Sequence, residues 1–286
     1  MKSLTKNVLI IGGKGKNGRR VAEKLKSHKF NPIVTTRTIN EHVENERYFD
    51  WNDSSTFGPA LKNIEIVYIV HPDTSMSGAD QQLEGLITEM MNQSVSKAVL
   101  LSGRGQASVE KCEKILMQSQ LDWTVIRSAW FNQNFSEGHF LHGIRSGEVT
   151  FMADTVKEPF VDLEDLSDVV VECLIDVVHN GKIYEVTGSE LLTFAEAVNA
   201  IGVKLKRNIQ YQYLNQEAYR QYLKNAGLDE FIAAHMTQAF SEILDGRNEN
   251  IGKGVTQVLG RDPIKFTDFV KSNKYNLSTS FTTVTK

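Results

Sequence analysis

The residues best suited to chemistry lie near the start of the chain. After the apolar run Val8-Leu9-Ile10-Ile11 comes Gly12-Gly13-Lys14-Gly15-Lys16-Asn17-Gly18. Two registers overlap there. Gly13, Gly15 and Gly18 spell G-x-G-x-x-G, and Gly12, Gly15 and Gly18 spell G-x-x-G-x-x-G. Glycines so spaced let a strand turn tightly into a helix, let backbone approach a pyrophosphate, and let the helix pack close to its strand. The helix N-terminus then presents N–H groups to the phosphates. An apolar strand before the glycines and a helix after them make this a dinucleotide-binding loop.

The second strand, Pro32-Ile33-Val34-Thr35-Thr36, bears on which dinucleotide. An Asp or Glu at its end would hold a ribose 2′-hydroxyl. The first carboxylate is Glu41, and Arg37 stands in its place. A guanidinium matches a 2′-phosphate, and Thr35, Thr36 and Lys14 are further candidates to help it. The expected cofactor is therefore NADP(H). His71 is a weaker candidate, for a proton relay. Arg104, in a glycine-flanked loop, is a weaker candidate to touch substrate or cofactor. His139 and His142 stand three apart with no further ligand set, so no metal site is expected. Ser102 lacks both the G-x-S-x-G context and an evident base. None of the eight tyrosines has a lysine four residues on. The Tyr/Lys pair that interconverts alcohols and ketones, in which Lys lowers the phenol pKa, is thus missing.

The elements that must position these residues alternate. Strands are expected at 7–11, 32–36, 47–51, 64–70, 98–102 and 123–126. Helices are expected at 18–26, 56–61, 80–93 and 108–119. The strands are almost continuously apolar, as in a parallel sheet covered on both faces. After Arg127 the rhythm breaks into an aromatic-rich helix expected over 129–143 and a helix over 163–178, N-capped by Asp162. A strand at 183–187 returns to the sheet. Beyond Leu191 the chain reads as mostly helical, with a strand-like run at 208–213. The fold class is α/β: a doubly wound, Rossmann-type parallel sheet with a smaller, mostly helical C-terminal lobe. The cofactor-binding core is expected over 1–128, completed by about 156–187. The substrate lobe is expected over 129–155 and 188–286, with a frayed tail at 278–286.

Composition narrows the partners. The 286 residues carry a formal charge of −3, with 41% hydrophobic and 23% charged residues. No basic stripe suggests nucleic acid. No apolar run nears the roughly 18 residues that cross a bilayer. The run Val8–Ile11 is too short for a secretion signal. Cys112 and Cys173 both fall in expected helices, so no disulfide framework is implied, and a reducing cytoplasmic setting is expected. Oligomeric state stays open, a homodimer included.

Several segments together resemble the NmrA-like, atypical short-chain dehydrogenase/reductase family, its quinone and azo-dye reductases and its ergot-alkaloid reductases above all. They are the glycine loop through Arg20, Phe49-Asp50-Trp51, Val67 through Pro72, Trp123 through Arg127, and Trp130-Phe131-Asn132-Gln133-Asn134-Phe135. Pro159-Phe160-Val161-Asp162 with Asp165, Tyr184 through Gly188, and Gly260-Arg261-Asp262-Pro263 complete the series. The resemblance implies that Asp50, beside Trp51, sits by the adenine. It implies that Val70, His71 and Pro72 lie along the nicotinamide, and that Ser102 and Gly103 flank the reacting ring. Trp130, Phe131, Phe135 and Phe140, with Asn134, are candidates for an apolar wall against a flat small-molecule substrate. Two functions stay open. One is an NADPH-dependent reductase of quinone, azo or iminium acceptors. The other is a non-catalytic NADP-binding regulator.

Overall fold

Val8 to Ile11 decide the architecture. In a strand, successive side chains point to opposite faces. Here Leu9 and Ile11 enter one buried cluster while Val8 and Ile10 enter another. A strand buried on both faces needs helices on both faces. The computed structural model describes residues 6–39 and 45–275. The expected tail at 278–286 and Glu41 lie outside the described residues.

Among the described residues seven strands form the main sheet, all parallel. In chain order they are β1 (Asn7–Ile10), β2 (Asn31–Thr36), β3 (Glu46–Tyr48), β4 (Ile66–Ile69), β5 (Lys97–Gly103) and β6 (Asp122–Ser128), joined after two short strands by β9 (Lys182–Val186). The short ones are β7 (Glu148–Phe151) and β8 (Lys157–Glu158), and they pair with β11 (Gln210–Tyr213) and β10 (Leu192–Thr193) respectively. The sheet order is β3-β2-β1-β4-β5-β6-β9. The order reverses beside β1, which places the ends of β1 and β4 at the crevice where such sheets bind ligands. The helices are α1 (Lys16–Ser27), α2 (Phe57–Leu61), α3 (Ala79–Asn92), α4 (Ala107–Met117), α5 (Leu141–Ser146), α6 (Leu163–Ile175), α7 (Phe194–Leu205), α8 (Gln216–Asn225), α9 (Glu230–Ile243), α10 (Gly254–Leu259) and α11 (Phe266–Ser272). One sheet face is covered by α3 and α4 through Leu83, Leu86, Cys112 and Leu116. The other is covered by α1 and α6 through Val21, Leu25, Val169 and Val170.

A third cluster builds the C-terminal lobe around Phe135, Phe140, Phe151, Phe160 and Phe194, each at most 2% exposed. The lobe is not wholly separate. Val255 of α10 is buried in the cluster of α1 and α6.

Two expectations need correction. The helix expected over 129–143 is broken into a short 3-10 turn, Asn132–Phe135, and α5. Tertiary pairing overrides the local pattern. Val161 N–H donates to the Trp130 carbonyl and Asn132 N–H to the Val161 carbonyl, at 2.8 and 2.9 Å, so the chain is extended where a helix would need to start. Strand β7 then follows where no strand was expected. It is four residues long, half polar, and finds its partner β11 about sixty residues away, so no local signal announces it. Smaller shifts move β3 to Glu46–Tyr48 and end α6 at Ile175. Asp162 does cap α6, accepting from Glu164 N–H at 2.8 Å.

Candidate functional site

The glycine loop shows why its residue types are required. Gly12 adopts φ +73, the left-handed region that glycine enters without strain. A Cβ on Gly13 would lie 2.5 Å from Val34 Cγ1, and one on Gly18 would lie 2.5 Å from the Gly12 carbonyl oxygen. The loop thus lies flat against β2, and α1 lies flat against the loop. Gly15 N–H donates to the Gly12 carbonyl at 2.9 Å, closing the turn. No side chain caps α1 at Gly15, and its first turn carries no acidic residue. The leading amides are therefore open to an anion, which the helix dipole favours. These features fit a dinucleotide diphosphate.

An open cleft of about 690 Å³ runs from this loop across the ends of β2, β3 and β4. It is lined by Gly12, Lys14, Gly15, Thr35, Thr36, Arg37, Asp50, Trp51, Asn52, Val70 and Pro72, among others. Eight of the expected cofactor residues thus share one surface. Arg37 is exposed at its far end. Trp51 is fixed by edge contacts to Phe49 and His71, at 5.1 and 4.6 Å between ring centroids. Lys14 is ion-paired with Glu46 at 2.9 Å. Sequence reasoning missed Glu46, because β3 was expected to start one residue later.

The remaining candidates divide. His71 Nδ1 accepts from Asp73 N–H at 3.1 Å, and Nε2 lies 2.8 Å from Gln82 Oε1. Both ring nitrogens are engaged, so His71 orders its loop and packs against Trp51. Ser102 is buried and donates to Glu113 Oε1 at 2.6 Å, while Gly103 closes β5 half-buried beside it. Arg104 is 6% exposed. Its guanidinium donates to the Asn248 carbonyl, to the Asn250 carbonyl and amide oxygen, and to Glu185 Oε2. It ties the end of β5 to the lobe. Nothing in its short-range sequence announces those partners, which lie 81 to 146 residues away.

The segment after β6 is held by a buried polar knot. Asp162 Oδ1 accepts from Gln133 Nε2 at 2.8 Å, and Gln133 Oε1 accepts from Leu163 N–H at 2.9 Å. This fixes the neighbours Trp130 and Phe131 on opposite sides. Trp130 packs on the lobe cluster and Phe131 on the cluster of α1 and α6, both half-buried. Phe135 and Phe140, expected in the same wall, are instead 0% and 2% exposed. They are core, packed in the lobe cluster with Phe151, Phe160 and Phe194. Lys16 bridges loop and lobe. Its ammonium donates to Asn134 Oδ1 at 2.6 Å and lies 5.9 Å from the Phe131 ring centroid. Burial, then the cations of Arg19 and Arg20, lower its pKa. Beneath the loop, Asn17 Nδ2 donates to the Tyr68 hydroxyl at 2.6 Å. Among the described residues no group of three or more His, Cys, Asp or Glu could hold a metal, and no helix is long and apolar enough to cross a membrane.

Comparison with known proteins agrees with this geometry. Residues 12–176 match a family model described as NAD(P)H-binding. An agroclavine dehydrogenase from Claviceps fusiformis is 30% identical over 285 residues, covering 93% of this chain and 97% of that one. An NAD(P)H azoreductase from Xenophilus azovorans is 24% identical over 282 residues, covering 93% and 97%. Among solved structures, an NADPH-dependent quinone oxidoreductase from Escherichia coli in complex with NADPH superposes with a TM-score of 0.77. It shares 17% identity and covers 92% of this chain and 98% of that one.

Proposed function

The chain belongs to the NAD(P)H-binding family, and from that premise we propose that it is an NADPH-dependent reductase of flat, electron-poor acceptors of quinone, azo or iminium type. The observation that carries this reading is a pair of adjoining surfaces. The open N-terminus of α1 faces a cleft that ends at Arg37, and Lys16 joins that loop to the half-buried rings of Trp130 and Phe131. Relatives named for dehydrogenation and azo reduction support the same class.

Each residue has a task in this reading. The amides of Gly12 to Gly15 and of the first turn of α1 hold a diphosphate. Arg37 and Thr36 hold a 2′-phosphate, which selects NADPH over NADH. Asp50 and Trp51 border the adenine. Val70, Pro72, Ser102 and Gly103 border the nicotinamide, and Trp130 and Phe131 align the acceptor. Arg104 and His71 are assigned to holding the walls. The bound cofactor supplies the hydride, and the protein supplies position and exclusion of water. A quinone that accepts hydride becomes the hydroquinone anion and takes one proton from water. An iminium accepts hydride and needs no proton. Neither route requires the missing Tyr/Lys pair.

The test is absorbance of NADPH against menadione, an azo dye and a cyclic iminium, with boiled protein as control. Turnover of at least one acceptor is expected, with a rate nearly flat between roughly pH 6 and 8, since no tuned acid limits it. Tight NADPH binding with no turnover across the panel would favour a cofactor-sensing regulator. Rapid oxidation of simple alcohols would overturn both readings.

A further inference from the structure

His139 has no task in the site as read so far, yet its surroundings are unusual. It follows Gly138, where a Cβ would lie 2.5 Å from the Lys16 ammonium, so this turn lies against the side chain that Lys16 extends from α1. It packs against Phe140, Phe151 and Phe240, with centroids 4.9, 6.0 and 6.3 Å away. Phe240 in turn lies 5.4 Å from Trp130. Trp130, Phe240 and His139 therefore form one continuous wall. Phe140 and Phe151 behind it are buried, whereas Trp130 is half-buried and His139 is exposed.

The back of the imidazole is fixed. Nε2 lies 2.9 Å from the hydroxyl of Tyr219, a residue only 1% exposed. Among the described residues that hydroxyl has no other hydrogen-bond partner. If Nε2 carried the proton, the hydroxyl hydrogen would be buried without an acceptor, which is costly. Tyr219 therefore donates and Nε2 accepts, so a neutral ring carries its hydrogen on Nδ1. Desolvation of the ring against Phe140, Phe151 and Phe240, then the nearby Lys16 ammonium, lower the His139 pKa and favour the neutral ring. Nδ1 has no hydrogen-bond partner among the described residues, and His139 as a residue is exposed.

We propose that His139 donates an Nδ1–H hydrogen bond to the oxygen of a bound carbonyl-type acceptor, with Tyr219 as the positioning residue that sets the tautomer. The inference rests on the reductase reading and narrows it. Negative charge grows on a quinone oxygen as hydride arrives, so the bond strengthens in the transition state and raises kcat more than it lowers KM. An acceptor with no such oxygen gains nothing from it. The wall thus favours quinone-like acceptors over purely cationic ones.

Two measurements test this. Side-chain nitrogen NMR of the wild type is expected to show His139 protonated at Nδ1, and Tyr219→Phe is expected to give a tautomer mixture. Kinetics would use menadione and N-methylacridinium, a hydride acceptor that offers no oxygen, with the uncatalysed rate subtracted. His139→Phe should lower kcat for menadione on the order of 10- to 100-fold. It should leave KM, the N-methylacridinium rate and the calorimetric NADPH affinity unchanged. His139→Asn, whose amide can donate from nearly the same place, should restore part of the menadione rate. An Nε2-protonated ring in the wild type, or equal losses with both acceptors, or no loss at all, overturns the proposal. If the wild type reduces menadione and His139→Phe does so equally well, the inference fails while the reductase reading stands. If the wild type reduces neither acceptor nor any other of the panel, that reading fails and takes the inference with it.

Discussion

The glycine loop and the aromatic wall are joined through Lys16, whose ammonium reaches Asn134 and Phe131, but they are made differently. The loop is seven consecutive residues, Gly12 to Gly18, and works through backbone: a positive φ, two positions with no room for a Cβ, and an uncapped helix end. The wall is assembled from Trp130, His139, Tyr219 and Phe240, from three separate stretches of chain, and works through side chains. Two arginines mark the contrast. Arg37, by the loop, is exposed and faces the cleft. Arg104, at the end of β5, is buried and bound to the lobe. A local, backbone-built site can hold an invariant group such as a diphosphate. A site gathered from distant side chains can be reshaped for different acceptors without disturbing the first.

The comparison breaks first at Gly18. Gly18→Val should abolish NADPH binding, because its side chain would meet the Gly12 carbonyl and the Gly13 Cα. Gly15→Ala should be much milder, since its Cβ would meet only the Gly12 oxygen, at 3.1 Å. NADPH at 100 times its Kd stabilises a binder by about 2.7 kcal/mol, so melts with and without NADPH separate the two variants. If Gly18→Val keeps the full shift, the loop is not the phosphate site.

Next in size, Arg37→Ala should weaken NADPH on the order of 10- to 100-fold, a charge-assisted contact being worth about 1.5–3 kcal/mol, and should barely affect NADH. Calorimetry with both cofactors checks this, and equal wild-type affinities would remove the basis for the NADP assignment.

Arg104→Met should behave in the opposite manner. It removes the donors that hold Asn248, Asn250 and Glu185, so stability should fall by about 2 kcal/mol while NADPH affinity stays constant. A loss of affinity with an unchanged Tm would put Arg104 in the cofactor site.

The last effect appears only as pH changes and lies on the lobe side. Burial pushes the Glu158 carboxyl up to about 8, with Arg104 opposing and Glu249 reinforcing the shift. Between its ordinary 4.5 and about 8 the folded state holds this proton and the unfolded state does not. Stability from this group is therefore full below pH 4.5 and is lost as pH rises through that window, by at most about 1.4 kcal/mol per unit. Glu158→Gln should raise Tm near pH 8 and leave it unchanged near pH 4. The same gain at both values would place the effect in packing rather than titration.

The sequence by itself determined the sheet and the cofactor loop. Val8 to Ile11 imply two covered faces, and the glycines imply a phosphate turn, because both depend on contacts within a few residues. It also placed β9 in the sheet and Asp162 at the head of α6. Tertiary structure decided the rest. The helix expected over 129–143 gave way to pairing with Val161, thirty residues on. Phe135 and Phe140 turned out to be core, and Arg104 found its partners in the chain beyond residue 184. His139 acquired a fixed tautomer only when Tyr219 came to lie beside it. The physical reason is the range of the interactions. Steric limits on a turn and the alternation of a strand act between near neighbours and can be read along the chain. Hydrogen bonding and ring packing between distant segments depend on which surfaces meet, and no short stretch of sequence records that.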